Sequence, residues 1–189
     1  MTKLIVLVVT LAVSAGAALA GDLETRAAES RAVVKAFADS LKGELVAALK
    51  AGGPVIAIDV CGRSAAAITK DSSDRTGWRV ARTSLKTRNS NNAPDAWESA
   101  VLKSFDARRA AGEDPKSMEF FEAVSDDGKR VFRYMKAIPT AAKPCLSCHG
   151  TKIAPAVETA LDARYPEDRA RGYEAGDIRG AFTITQPMD

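Results

Sequence analysis

Two cysteines three positions apart, with a histidine directly after the second, restrict this chain more than any other feature: Cys145-Leu146-Ser147-Cys148-His149. The spacing is the c-type haem attachment signature. Each sulfur can add to one vinyl group of haem as a thioether, and His149 can then give its imidazole to iron. A chain carrying this segment must fold a wall and a cover around a large flat group. Three other readings fit less well. Zinc wants four ligands at suitable spacing, and only Cys61 and His149 remain to complete a Cys145/Cys148 pair. A thioredoxin-like dithiol opens a helix after a strand in a βαβ unit, whereas Pro144 precedes this pair and no such unit surrounds it. A Cys145–Cys148 disulfide would close a tight, strained loop.

The first residues read as a secretory leader. Lys3 is the charged start, Leu4 to Val13 an apolar core of about ten residues, and Ala18-Leu19-Ala20 a small-x-small cleavage site. This divides the chain into a signal peptide, 1–20, and a single haem-binding domain, 21–189. A retained membrane anchor is the alternative, but an apolar run of about ten residues is short for a bilayer. Export and thioether formation agree, because in bacteria the second takes place outside the inner membrane. The expected location is periplasmic, with no membrane contact after cleavage. Loss of Lys3 lowers the formal net charge from +3 to +2, too little to argue for nucleic acid.

Along the rest of the chain, Leu23 to Lys50 carries Ala27, Val34, Ala38, Leu41, Leu45 and Leu49 at helical spacing, and Gly52-Gly53-Pro54 stops it. That helix is longer than one small core needs, so it also suits a homodimer contact. Val55 to Lys70 is expected to be a second helix with Cys61 on its apolar face, although Val55–Val60 alone also reads as a buried strand. Trp78 to Leu85 reads as a strand and Lys86 to Asp95 as a polar loop. Asp95 caps a helix to about Arg109, with Glu98 completing a capping box. Glu119–Val124 and Arg130–Ile138 pair across Asp127-Gly128, a hairpin turn. Ala154–Arg164 is a short helix, and Gly180–Thr185 a last strand. The pattern is α+β, a small antiparallel sheet flanked by helices with a long N-terminal one.

His149 is the only histidine, so two histidines cannot ligate iron within one chain. The sixth position falls to sulfur, an amine, water or nothing. Met118, Met135, Met188 and Cys61 are the sulfur candidates. Cys61 is an odd cysteine in an exported chain, and reads either as a ligand or as an inert packed thiol. Arg82, Lys86 and Arg88 either neutralise haem propionates or are solvated strand and loop charges. Trp97 and Tyr173 read as core, and Asp177 and Arg179 as a pair across a turn.

Three blocks carry a resemblance to a known family. They are Val60-Cys61; Arg82 through Asn89 with Asn92 and Pro94-Asp95-Ala96-Trp97-Glu98; and Lys143 through Gly150 with Tyr165-Pro166, Asp168, Ala170, Gly172-Tyr173, Gly176-Asp177 and Arg179-Gly180-Ala181. The chain resembles the haem-binding, PAS-like periplasmic domains of the Tll0287-like family. It departs from the pattern at Ser90, where the family usually has proline, which is expected to loosen that loop. The resemblance implies a PAS-like fold with haem c against the sheet, and His149 and Cys61 as axial ligands. A thiolate would stabilise ferric iron and lower the potential. Reduction would then free a position for a diatomic gas. The expected function is a non-enzymatic sensor of redox state or of such a gas, read by a signalling or redox protein partner. A small periplasmic electron-transfer cytochrome is the alternative. Peroxidase-like catalysis fits least, since no second histidine can serve as a distal base.

Overall fold

A computed structural model describes residues 10–188; for residues 10–18 and for Cys61 it describes the backbone alone. Lys3 and Leu4 to Val9 of the expected leader therefore lie outside the described residues. The elements run α1 (Thr10–Thr76), β1 (Arg79–Thr83), a 3-10 turn (Ser90–Asn92), α2 (Ala96–Ala110), β2 (Glu119–Asp126), β3 (Lys129–Pro139), α3 (Leu146–His149), α4 (Pro155–Arg164) and β4 (Ile178–Pro187). The strands form one antiparallel sheet in the order β1-β4-β3-β2. This is the expected α+β, PAS-like layout.

α1 is two helical arms joined by a sharp break. Gly52 leaves helical geometry, and Gly53 sits at φ 73, ψ −168, where essentially only glycine is at ease. Pro54 then opens the second arm with a preset φ and no amide proton to satisfy. The arms fold back on each other, as the bond from Ser64 Oγ to Glu44 at 3.0 Å shows. Val55–Val60 is helix, not strand. The spacing of three and four carried by Ile58, Cys61, Ala65 and Ile68 continues through it, and Ile58 packs with Val157 and Leu161 of α4. Among the described residues no single helix is long and apolar enough to cross a membrane.

Both faces of the sheet are covered. On one, Phe132, Tyr134, Phe182 and Ile184 pack with Ala27, Val34 and Phe37 of the first arm. On the other, Met135, Ala137 and Ala181 pack with Val101, Leu102 and Phe105 of α2. Such double burial removes the alternation that marks a half-solvated strand. β4 is accordingly longer at both ends than its sequence suggested. α2 has the capping box: Asp95 accepts the Glu98 amide at 2.7 Å, and Glu98 accepts the Asp95 amide at 3.1 Å. Asp127 and Gly128 both have positive φ, as a two-residue hairpin turn requires.

Candidate functional site

A cavity of about 520 Å³ opens between the two arms of α1, the β1 edge and the segment carrying the two cysteines. That is within the size range of small-molecule and cofactor sites, about 300–1,000 Å³. Leu41 and Leu45 line it from the first arm, and Ala57, Ile58 and Ala65 from the second. Cys145, Cys148 and His149 form part of the wall, and both thiols are free. α3 is a single helical turn. It brings the cysteines and His149 together in space, as His149 N–H donates to Cys145 O at 3.0 Å. Burial pushes the Cys148 thiol up, which keeps it protonated.

His149 is held by backbone. Its Nδ1 lies 2.8 Å from the Ala170 carbonyl, which can only accept, so Nδ1 carries the proton. Nε2 is left as the acceptor and takes Arg88 Nη1–H at 3.4 Å. Burial, with the charges of Arg179 and Arg88, pushes the imidazole pKa down to about 3. The ring therefore stays neutral and able to ligate at any ordinary pH. Tyr173, expected as core, is buried with its ring edge toward the imidazole at 6.3 Å. The segment it belongs to is stitched to the cysteine segment by Tyr173 N–H to His149 O and Gly172 N–H to Gly150 O, each 3.0 Å.

The cavity is one-signed in charge. Lys70, Arg82, Lys86, Arg88 and Arg179 line it, and among the described residues no aspartate or glutamate does. Arg82 lies over the Phe37 ring at 5.7 Å. Arg88 is neither a solvated loop charge nor aimed at open space. Its Nε donates to Asp168 at 3.1 Å, and its Nη2 to the Cys148 and Ala170 carbonyls at 2.5 and 3.2 Å. Burial pushes the Asp168 carboxyl up, but bonds from Arg171 and Arg88 outweigh it and hold the group below its usual range. Arg179 does not pair with Asp177. Asp177 instead accepts the Glu174 amide at 2.7 Å. Arg179 is half-buried in the cavity wall, and burial, with Arg88 nearby, pushes its pKa down.

Of the sulfur candidates, Met118 and Met135 are fully buried on the α2 face, across the sheet from the cavity. Met188 follows β4 at the end opposite Gly180, which lines the cavity. The side chain of Cys61 lies outside the described residues. Its backbone position shares a helical face with Ala57, Ile58 and Ala65, all of which line the cavity. Ser90 begins the 3-10 turn, and the loop stays closed by Asn91 N–H to Asn89 Oδ1 and Ala93 N–H to Ser90 O, both 3.0 Å. Among the described residues no group of three or more His, Cys, Asp or Glu is gathered to hold a bare metal ion.

Asp168 and Ala170 were not assigned roles from sequence, and Arg179 was read only as a partner of Asp177. Ala170 works through its carbonyl and carries no side-chain signal. Asp168 lies 80 residues from Arg88. Position within the third block was the one clue available.

A solved structure and a family model match this chain along most of its length. No curated protein matches it. Among solved structures, the crystal structure of the cyanobacterial heme-protein Tll0287 shares 26% identity at a TM-score of 0.62, covering 85% of this chain and 96% of that one. A family model described as Tll0287-like matches residues 18–187, through every element that walls the cavity. The chain belongs to the Tll0287-like family.

Proposed function

We propose that the chain is an exported c-type haem protein that senses redox state or a diatomic gas in the periplasm. The observation that carries it is His149: a neutral imidazole, its Nδ1 proton given to Ala170, its Nε2 the unprotonated nitrogen with one long contact to Arg88 at 3.4 Å, beside two free thiols in one cavity wall. That is the donor set a c-type haem needs. Cys145 and Cys148 hold the group as thioethers, and His149 gives it a nitrogen ligand. The cations of the wall, Arg82 and Arg179 among them, complement two propionates, while the Arg88 donors are committed to Asp168, Cys148, Ala170 and His149. Bound haem supplies a one-electron iron centre with an exchangeable position. Cys61 is the proposed second ligand, on its helical face and on the family pattern; the methionines lie away from the cavity. A partner protein reads the state of the iron.

Protein matured in the periplasm should keep haem through a denaturing gel and acid–acetone extraction. Cys145→Ser or Cys148→Ser should weaken attachment, and His149→Ala should remove the nitrogen ligand. Extractable haem in the native chain ends this reading. Rapid, tight carbon monoxide binding by the reduced protein supports sensing, whereas an inert six-coordinate iron supports electron transfer. Cys61→Ser should convert a low-spin ferric spectrum to a high-spin one and raise the potential. An unchanged spectrum and potential reduce Cys61 to packing.

A further inference from the structure

We propose that Arg88 is the positioning residue of the proximal imidazole: locked by Asp168, its guanidinium shares the Ala170 carbonyl with His149 and so limits how strongly Nε2 donates to iron. This rests on the haem reading above.

The arrangement is built around one carboxylate. The Asp168 side chain is 1% exposed and that of Arg88 16%. Asp168 Oδ1 accepts Arg88 Nε–H at 3.1 Å and the Ala170 amide at 2.9 Å, while Oδ2 accepts Arg171 Nε–H at 2.9 Å. The same carboxylate therefore fixes the guanidinium and, through the Ala170 amide, the residue whose carbonyl holds His149. From there Arg88 Nη2 reaches Cys148 O and Ala170 O. Ala170 O thus receives two donors, His149 Nδ1–H at 2.8 Å and Arg88 Nη2–H at 3.2 Å, and a carbonyl has two lone pairs to offer.

The sharing has a sign. An acceptor on Nδ1–H pushes electron density toward Nε2 and makes it the better ligand. A cationic donor on that acceptor draws density away and weakens the push. The guanidinium charge beside Nε2 acts in the same direction, since it disfavours the ferric charge. Iron at Nε2 would displace one contact of Arg88, the 3.4 Å approach of Nη1. The bonds to Asp168, Cys148 and Ala170 do not involve Nε2 and remain available. Lysine cannot replace this fork, because it carries a point charge and no planar pair of donors.

The test uses holoprotein matured in the periplasm, wild-type against Arg88→Gln and Arg88→Lys. Two quantities are read: the reduction potential, and the g values of the ferric electron paramagnetic resonance spectrum, which follow the axial field. Arg88→Gln should favour the ferric state by about tenfold, ~59 mV for one electron, with a matching shift of the largest g value. Arg88→Lys should shift both in the same direction by less, because the charge is retained. Should the Gln variant not accumulate, the Lys variant decides alone. Wild-type potential and g values in the variants, with lowered stability only, would make Arg88 a structural brace and overturn the proposal; a raised potential overturns it as well. Wild-type chain without attached haem overturns the haem reading itself. Wild-type chain with attached haem and unmoved variants overturns this inference alone.

Discussion

Glu119 joins three elements through one carboxylate. Arg31 of α1 donates to it at 2.6 and 3.0 Å, and the Tyr134 hydroxyl of β3 at 2.8 Å. Burial pushes its pKa up, but these bonds outweigh burial and hold it below its ordinary value of 4.5. A depressed folded pKa contributes stability that is fully present above the unfolded value and lost as pH falls through the folded one. Denaturant unfolding should therefore show stability declining below about pH 4.5, with a smaller decline for Glu119→Gln. At neutral pH that substitution should cost about 1–3 kcal/mol, because Arg31 loses a charged partner and Tyr134 keeps only a weaker one. A flat difference between the two proteins from pH 6 to pH 3 would contradict the assignment. At this scale the sequence was readable where chemistry is local. Cys145, Cys148, His149 and the Asp95/Glu98 box are spacing patterns, and spacing is visible in one dimension. The ion pair of Arg88 with Asp168 was not visible in the sequence, because Asp168 is near Arg88 only after folding.

Among the elements, the bend of α1 does most to create the cavity, since it sets Leu41 and Leu45 opposite Ala57 and Ile58. Gly53 is the residue that permits it. A Cβ there would meet nothing within 4 Å, so the cost of Gly53→Ala is backbone strain alone, about 1–3 kcal/mol. Asparagine should not rescue it, because ψ −168 is outside the left-handed helical well that asparagine tolerates. A melting curve at wild-type midpoint for Gly53→Ala would mean that the arms bend without this geometry. Gly180 is a different case. Its Cβ would fall inside van der Waals contact of the Thr83 carbonyl, across the β4–β1 pairing and at the cavity wall. Gly180→Ala should cost stability and also lower the yield of attached haem, whereas a surface change such as Gly43→Ala should do neither. The helix stop at Gly52-Gly53-Pro54 was legible from composition. The direction of the fold-back was not, since it depends on the α4 face and the sheet that the second arm meets.

Across the whole molecule, burial is divided unequally. The α2 face of the sheet is closed by Val101, Leu102, Phe105, Met118 and Met135, and needs no ligand to be complete. The other face is filled by the first arm at one end and by the cavity at the other. The cavity wall comes from segments far apart in sequence: the two arms, 81–92, 144–149, Tyr165 and Ala170, and 179–180. They are joined by a few bonds, such as Arg169 N–H to Thr87 O at 2.8 Å, and by one small apolar cluster in which Ile58, Cys148 and Tyr165 meet Val157 and Leu161 of α4. A group that fills the cavity binds the folded state and adds to its stability by linkage. Chain lacking both thiols, Cys145→Ser with Cys148→Ser, should therefore melt below the haem-loaded protein. The loss should be local. Hydrogen exchange should quicken over 81–92, 144–149 and 165–172, while amides of α2, β3 and the β4 residues opposite them keep their protection. A uniform loss across both faces would show that the haem-free chain unfolds as one unit. Unchanged exchange at 144–149 would show that the bonds of Arg88 and Asp168 suffice to order the motif before haem arrives. That outcome would make the attachment segment a preformed cradle, with its geometry set by protein contacts alone.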